Sequence, residues 1–227
     1  MLKPKRKITR DQIKNDSFVE TIFDIRSYVM DNSKLLSRIG GGFVVVLLLI
    51  VFLGQSSKNN KREAEFLLTQ SNVYLDNGDS QNAKIILQEL VDEYGNTESG
   101  RLGGYHLAQL YLKNNEKESA LSLLLKYSKK GENLFLLTSA NEAISSLYQE
   151  NNDIQNAIKY QSVAAENSYS KKKGALSKLK LIELYIKDGS LDISAKLLNE
   201  LKSEHKDDPD MMKNIDYVSG ILMNKAY

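Results

Sequence analysis

Between Arg38 and Lys58 the chain carries no charge, and residues 39–53 read Ile-Gly-Gly-Gly-Phe-Val-Val-Val-Leu-Leu-Leu-Ile-Val-Phe-Leu. A helix crosses a bilayer in about 20 such residues at 1.5 Å each, and in lipid it is the one single segment that satisfies its own backbone hydrogen bonds. Residues 39–57 are therefore expected to form a transmembrane helix. Past residue 58 the pattern changes to apolar residues at helical spacing, as in Ile85, Ile86, Leu90 and Leu121, Leu124, Leu125, separated by polar turns. Residues 210–226 continue it with Met211, Met212, Ile215, Val218 and Leu222 on one face, as a last helix covering the end of an array would. Ahead of the apolar segment, Ser17-Phe-Val-Glu20 is a capping box followed by Phe18, Val19, Ile22, Phe23, Val29 and Met30 at helical spacing. This predicts an amphipathic helix whose polar side bears Glu20, Asp24 and Asp31, an acidic face that suits a protein partner better than anionic lipid. The fold class is all-α, with residues 1–38 a leader, 39–57 the span and 58–227 a helical repeat domain.

A tyrosine recurs every 37 residues, at Tyr74, Tyr111, Tyr148 and Tyr185. A strict period means stacked units. The four segments are Tyr74-Leu-Asp-Asn-Gly-Asp-Ser-Gln-Asn-Ala83, Tyr111-Leu-Lys-Asn-Asn-Glu-Lys-Glu-Ser-Ala120, Tyr148-Gln-Glu-Asn-Asn-Asp-Ile-Gln-Asn-Ala157 and Tyr185-Ile-Lys-Asp-Gly-Ser-Leu-Asp-Ile-Ser194. In each, the tyrosine closes a first helix, and four residues later Gly78, Asn115, Asn152 or Gly189 stands where a left-handed cap is needed. Asp79, Glu116, Asp153 or Ser190 follows, able to interact with the start of the second helix. Ala83, Ala120, Ala157 and Ser194 are small, so two helices can approach closely there. This pattern resembles the tetratricopeptide repeat, with tyrosine nine residues before the alanine. It departs from that family in its period of 37 rather than 34, in lacking a Trp-Leu-Gly portion and in having no repeat-closing proline. Loops are expected over residues 95–100, 129–133, 167–170 and 206–208.

Charge orients the span. Residues 1–38 hold nine Lys or Arg against five Asp or Glu, and the remainder holds 22 against 24. The cluster Lys3, Lys5, Arg6, Lys7, Arg10, with Lys34 and Arg38 beside the span, places the N-terminus in the cytoplasm and the array on the far side, which in a bacterium is the periplasm. A polar leader of 38 residues is too long for a cleaved signal peptide, so the segment reads as an uncleaved anchor. The chain has no cysteine and only two histidines, His106 and His205. No ligand spacing, phosphate loop or catalytic constellation is present in the sequence, so neither cofactor, metal nor small-molecule substrate is expected. The near-neutral array argues against nucleic acid.

Expected partners are proteins. Arrays of this kind expose first helices along a concave face where a peptide or helix can lie. The resemblance places Asn72, Gln109, Ser146 and Glu183, each two residues before its tyrosine, on that face as a polar row, with Tyr105, Glu142 and Leu179 flanking it one turn earlier. The layout of basic leader, single span and outward repeat array, together with Tyr28-Val-Met-Asp-Asn-Ser-Lys-Leu-Leu36 before the span, resembles the ancillary subunit family of the bacterial SecYEG translocon. That resemblance implies a non-enzymatic inner-membrane protein that links emerging polypeptides to periplasmic chaperones. A structural scaffold for another envelope machine, in secretion, motility or cell-wall assembly, is the alternative from a different class. Client binding predicts weak, salt-tolerant capture of unfolded chains, whereas a scaffold predicts one stoichiometric partner.

Overall fold

A computed structural model describes residues 17–226 of the chain, so the basic cluster Lys3 to Arg10 lies outside the described residues. Ten helices and no strand occur among them. The chain divides into two units, residues 1–58 and 59–227.

The first unit holds α1 (Ser17–Asp31) and the beginning of α2 (Ser33–Asp76). Backbone hydrogen bonding continues through the single intervening residue: the Asn32 N–H donates to Tyr28 O at 3.0 Å and the Leu36 N–H to Asn32 O at 2.9 Å. The side chains of Ser17 and Phe18 lie outside the described residues, and with them the expected capping contact. On α1, Ile22, Phe23, Ile25, Tyr28, Val29 and Met30 are all exposed. Every residue of α2 from Phe43 to Leu53 is 45–69% exposed. The most apolar 18-residue window of this helix has mean hydropathy 2.4 and no buried residue. It is long and apolar enough to cross a membrane.

The second unit is a run of hairpins. Residues 59–76 of α2 pair with α3 (Ser80–Tyr94), α4 (Glu98–Lys113) with α5 (Lys117–Lys130), α6 (Leu134–Glu150) with α7 (Ile154–Glu166), and α8 (Lys171–Asp188) with α9 (Leu191–Glu204). A final helix, α10 (Pro209–Ala226), packs on α8 and α9. The four turns are built alike because the backbone bonds are alike. Asp79, Glu116, Asp153 and Ser190 each donate a backbone N–H to the carbonyl of the periodic tyrosine five residues back, at 2.8–2.9 Å. One residue earlier, Gly78, Asn115, Asn152 and Gly189 donate to the carbonyl three residues back, and these four alone among the described residues have positive φ, at 76°, 62°, 58° and 85°. This is the paired closure of a Schellman turn, which requires a residue type that tolerates the left-handed region.

Ala83, Ala120, Ala157 and Ser194 are all 0% exposed at the hairpin contact, as expected. The apolar core falls into three clusters. One joins Ala64 and Leu67 of α2 to Leu87 and Leu90 of α3 and Leu107 and Leu110 of α4. The second joins Tyr105 and Ala108 of α4 to Leu124 and Tyr127 of α5 and Ile144 and Leu147 of α6. The third gathers Leu179, Ile182 and Ile186 of α8, Leu198 and Leu201 of α9, and Met211, Ile215 and Val218 of α10. Each fully covered Leu, Ile or Val contributes roughly 1.5–3 kcal/mol of transfer free energy. The stripe of α3 is centred on Leu87 and Leu90, while Ile85 is 64% exposed, a departure from the expectation that Ile85 faces the core. Loops are also tighter than expected: residues 98–100 and 129–130 are already helical. The first case has a local cause: the Thr97 hydroxyl caps α4 by accepting from the Gly100 N–H at 3.0 Å.

Candidate functional site

The periodic spacing puts Asn72, Gln109, Ser146 and Glu183 at equivalent places on four consecutive first helices, α2, α4, α6 and α8. Gln109, Ser146 and Glu183 are exposed and Asn72 is half-buried. Glu183 lines a cleft of about 200 Å³ with Gln149, Leu184, Ile186, Lys187, Ile221 and Lys225, an apolar floor with polar walls. Burial pushes the Glu183 carboxyl above its ordinary range, against the opposing charges of Lys180 and Lys187. The flanking positions behave differently. Tyr105 and Leu179 are 9% and 5% exposed and belong to the core clusters, so their placement is interior rather than on the accessible face. The reason is helical phase: one turn before the row, the side chain points between the helices of its hairpin and the next.

Glu142, at the third flanking position, is half-buried and heavily partnered. Its carboxylate accepts from Lys173 Nζ at 2.7 Å and from the Ser177 hydroxyl at 2.6 Å, with Lys180 Nζ at 3.5 Å. Burial pushes its pKa up, but the Lys173 and Ser177 hydrogen bonds and the two lysine charges outweigh that and hold the carboxyl below its usual range. Next to Tyr105, His106 meets its ring edge-on at 5.9 Å, and burial pushes the imidazole below its ordinary range.

The hairpin turns also carry contacts between repeats. Lys84 of α3 donates to Glu116 at 2.8 Å, Lys117 of α5 pairs with Glu150 at 2.8 Å, and Gln155 of α7 donates to Asp188 at 2.7 Å. One such link crosses each junction near the start of a second helix. Asp79 and Asp153 cap their helices by accepting from the backbone N–H of Asn82 and Asn156, both at 3.1 Å, and the side-chain amides of the same asparagines, at 2.6 and 2.7 Å, together with these backbone bonds hold both carboxyls below their ordinary range. Glu116 and Ser190 make no side-chain cap. Glu116 turns outward to Lys84, and the Ser190 hydroxyl donates to Asp188. The cross-repeat links were not read from the sequence; the signal that marks them is a basic or amide residue 32 or 33 positions before an acid.

A profile of the family described as "Tetratricopeptide repeat" matches residues 65–97, which is α2 from Glu65 through the first turn and α3. Among solved structures, the nearly identical TPR-like repeats of a candidate kinesin light chain from Podosopora anserina are similar to 74% of this chain, over 96% of their own length, at 15% identity and a TM-score of 0.50. A single-substitution variant of that protein covers 74% of this chain and 97% of its own length, at 15% identity and a TM-score of 0.49. No curated protein matches the chain. The fold is a tetratricopeptide-like α-solenoid. Folds of this kind mediate protein–protein interaction.

Proposed function

We propose that the chain is a single-pass membrane protein that presents its solenoid as a non-enzymatic docking platform, acting as an accessory subunit of a SecYEG-type translocon and linking emerging polypeptides to periplasmic chaperones. The observation that carries the docking role is the row Gln109, Ser146 and Glu183, exposed at one equivalent position of successive first helices and continued by half-buried Asn72. Side chains repeated at one helix-to-helix spacing can hold the backbone of an extended partner at several points, and each contact alone is weak. The cleft beside Glu183 supplies an apolar notch at one end of the row.

The anchoring part rests on α2. Eleven consecutive apolar residues, Phe43 to Leu53, stand exposed, and each would cost roughly 1.5–3 kcal/mol relative to burial if left in water. A core helix of a soluble domain has its apolar window covered, which this one does not. The excess of Lys and Arg in residues 1–38 supports a cytoplasmic N-terminus and a periplasmic array. The basic leader and the segment Tyr28 to Leu36 favour the translocon over other envelope machines through their resemblance to its ancillary subunit.

Purification of the tagged full chain in mild detergent, with mass spectrometry of what accompanies it, tests the reading. Recovery of Sec subunits with periplasmic folding factors is the expected result. A single stoichiometric complex without them overturns it in favour of an envelope scaffold. Replacing Gln109, Ser146 and Glu183 together by alanine should abolish co-purification while leaving the melting temperature unchanged; retention of partners would remove the row from the site.

A further inference from the structure

The two ends of the solenoid are open in a way that its interior positions expose. One, two and three periods beyond Phe66 stand Gly103, Ala140 and Ser177, all buried, and beyond Val73 stand Leu110, Leu147 and Leu184, 8%, 5% and 3% exposed. In those repeats this helix face is covered by the preceding hairpin. In the first repeat nothing precedes it within the array, and Phe66 and Val73 are 63% and 54% exposed. At the other end, α10 turns its buried face, Met211, Ile215 and Val218, onto α8 and α9. Its opposite stripe, Asp210, Lys213, Tyr217, Gly220 and Asn224, is exposed throughout, with Tyr217 at 69% and neighbouring Met223 at 62%. Solenoids ordinarily close both ends with polar faces. Here both ends carry large apolar side chains.

We propose that these ends are the two halves of one contact, through which α10 of one copy of this chain stacks on residues 62–76 of α2 in the next. The chemistry is complementary. The 37-residue period extends into α10, since buried Gly174, Leu181 and Ile182 correspond to buried Met211, Val218 and Ser219. Extending it by four periods from α2 fixes the level at which the two helices meet when a stack continues in register. Arg62 comes level with Asp210 and Glu65 with Lys213, so opposite charges face each other at one end. Phe66 falls a turn below Tyr217. Val73 falls beside Gly220, where an added Cβ would meet nothing within 4 Å, so the glycine leaves room for an apolar knob. A symmetric α2-to-α2 contact would instead set Phe66 against Phe66 and Glu65 near Glu65. The proposed contact is heterologous, so copies join head to tail. A single helix face is smaller than the roughly 1,600 Å² of a standard interface, which makes the association weak and reversible.

The chain has no cysteine, so disulfide trapping is unambiguous. The full chain would be prepared as Val73→Cys/Gly220→Cys and as each single variant, oxidised in native membranes or mild detergent, and run without reductant. The expected result is a ladder of linked copies from the double variant, none from either single variant, a dimer when the two single variants are mixed, and loss of the ladder on adding Phe66→Asp. Phe66 is exposed, so an unchanged melting temperature shows that Phe66→Asp still folds. Monomers only from the double variant, or dimers from Val73→Cys alone, would each overturn the proposal.

Discussion

The left-handed turns allow one chemical change to be tested twice with opposite expected signs. Gly189 has φ +85°, and a Cβ built there meets nothing within 4 Å. Gly220 also has open space around its Cβ position, but it sits inside the helix α10 without positive φ. Neither Gly189→Ala nor Gly220→Ala therefore introduces a clash, and backbone conformation alone separates them. At Gly189 an L-residue in the left-handed region costs roughly 1–2 kcal/mol, offset by roughly 0.4–1 kcal/mol from the lower entropy of the unfolded chain. The net is a destabilisation of about 1 kcal/mol. At Gly220 alanine is the better helix former by about 1 kcal/mol. For a domain of this size each change moves Tm by about 2–4 °C, downward for Gly189→Ala and upward for Gly220→Ala. Thermal melts of the full chain in detergent, followed by circular dichroism, measure both. Gly189→Asn should lose less than Gly189→Ala, because Asn115 and Asn152 occupy the same turn position at φ 62° and 58°. Shifts of the same sign for the two alanine variants would refute the reasoning that the turn's φ dictates residue choice.

At Gly100, by contrast, a Cβ would lie 1.9 Å from the Tyr94 carbonyl oxygen and 2.8 Å from Gly95 Cα, so Gly100→Ala forces backbone apart and should destabilise by about 1–3 kcal/mol, read as a fall in Tm. Glu142 predicts a pH dependence: its folded pKa lies below the ordinary value, so its contribution is complete above the unfolded value of about 4.3 and is lost as pH falls through the lower folded value. Melts of the parent chain should weaken on acidification below about pH 5 more steeply than those of Glu142→Gln; parallel profiles would count against the Lys173–Glu142 pair. The Lys117–Glu150 link is half-exposed on both sides, at 44% and 49%, so Glu150→Gln should leave stability nearly unchanged, and a clear loss in chemical denaturation would mean that the turn depends on it.

The hairpin turns were legible because their determinants are local. A tyrosine carbonyl, a residue that tolerates positive φ and a small side chain at the helix contact all fall within ten residues, and the period repeats them four times. What surrounds the turns was less legible. Asp79 and Asp153 cap their helices, whereas Glu116, one methylene longer, reaches Lys84 of the preceding hairpin instead. Composition at position 116 is compatible with either outcome, and the presence of a cation 32 residues earlier decides. Helical phase was harder still. Ile85 and Leu87 are both apolar and two residues apart, so only one can face the core, and the stacking partner picks Leu87. For the same reason Tyr105 and Leu179 sit inside, while Glu142 at the equivalent place stays at the edge where three basic or hydroxyl groups reach it. The polar row itself, two residues before each tyrosine, needed only the period to be placed on one side of the first helices.

The stacking is not uniform along the array, and this bears on how the platform works. Large apolar side chains join α2, α3 and α4, then α4, α5 and α6, and partly buried Tyr111 and Leu123 belong to both clusters. The cluster of α8, α9 and α10 shares no member with them. Between them lies α7, whose buried face consists of Ala157, Ala164, Ala165 and Gln161. Alanines bring helices close but bury little area, so this junction draws more of its stability from directed polar contacts. The Gln161 amide donates to Ser177 O at 3.0 Å, the Ser145 hydroxyl to Ala157 O at 2.8 Å, and Glu142 gathers Lys173 and Ser177. A hydrogen bond contributes about 1 kcal/mol net but is strongly geometry-dependent, whereas apolar packing tolerates sliding. The junction combines close alanine packing with a few directed bonds. In a quasi-one-dimensional array each repeat touches only its neighbours, so these bonds fix how α6 and α7 meet α8. Ser146 of α6 and Glu183 of α8 stand on opposite sides of the junction, so their spacing depends on those same bonds.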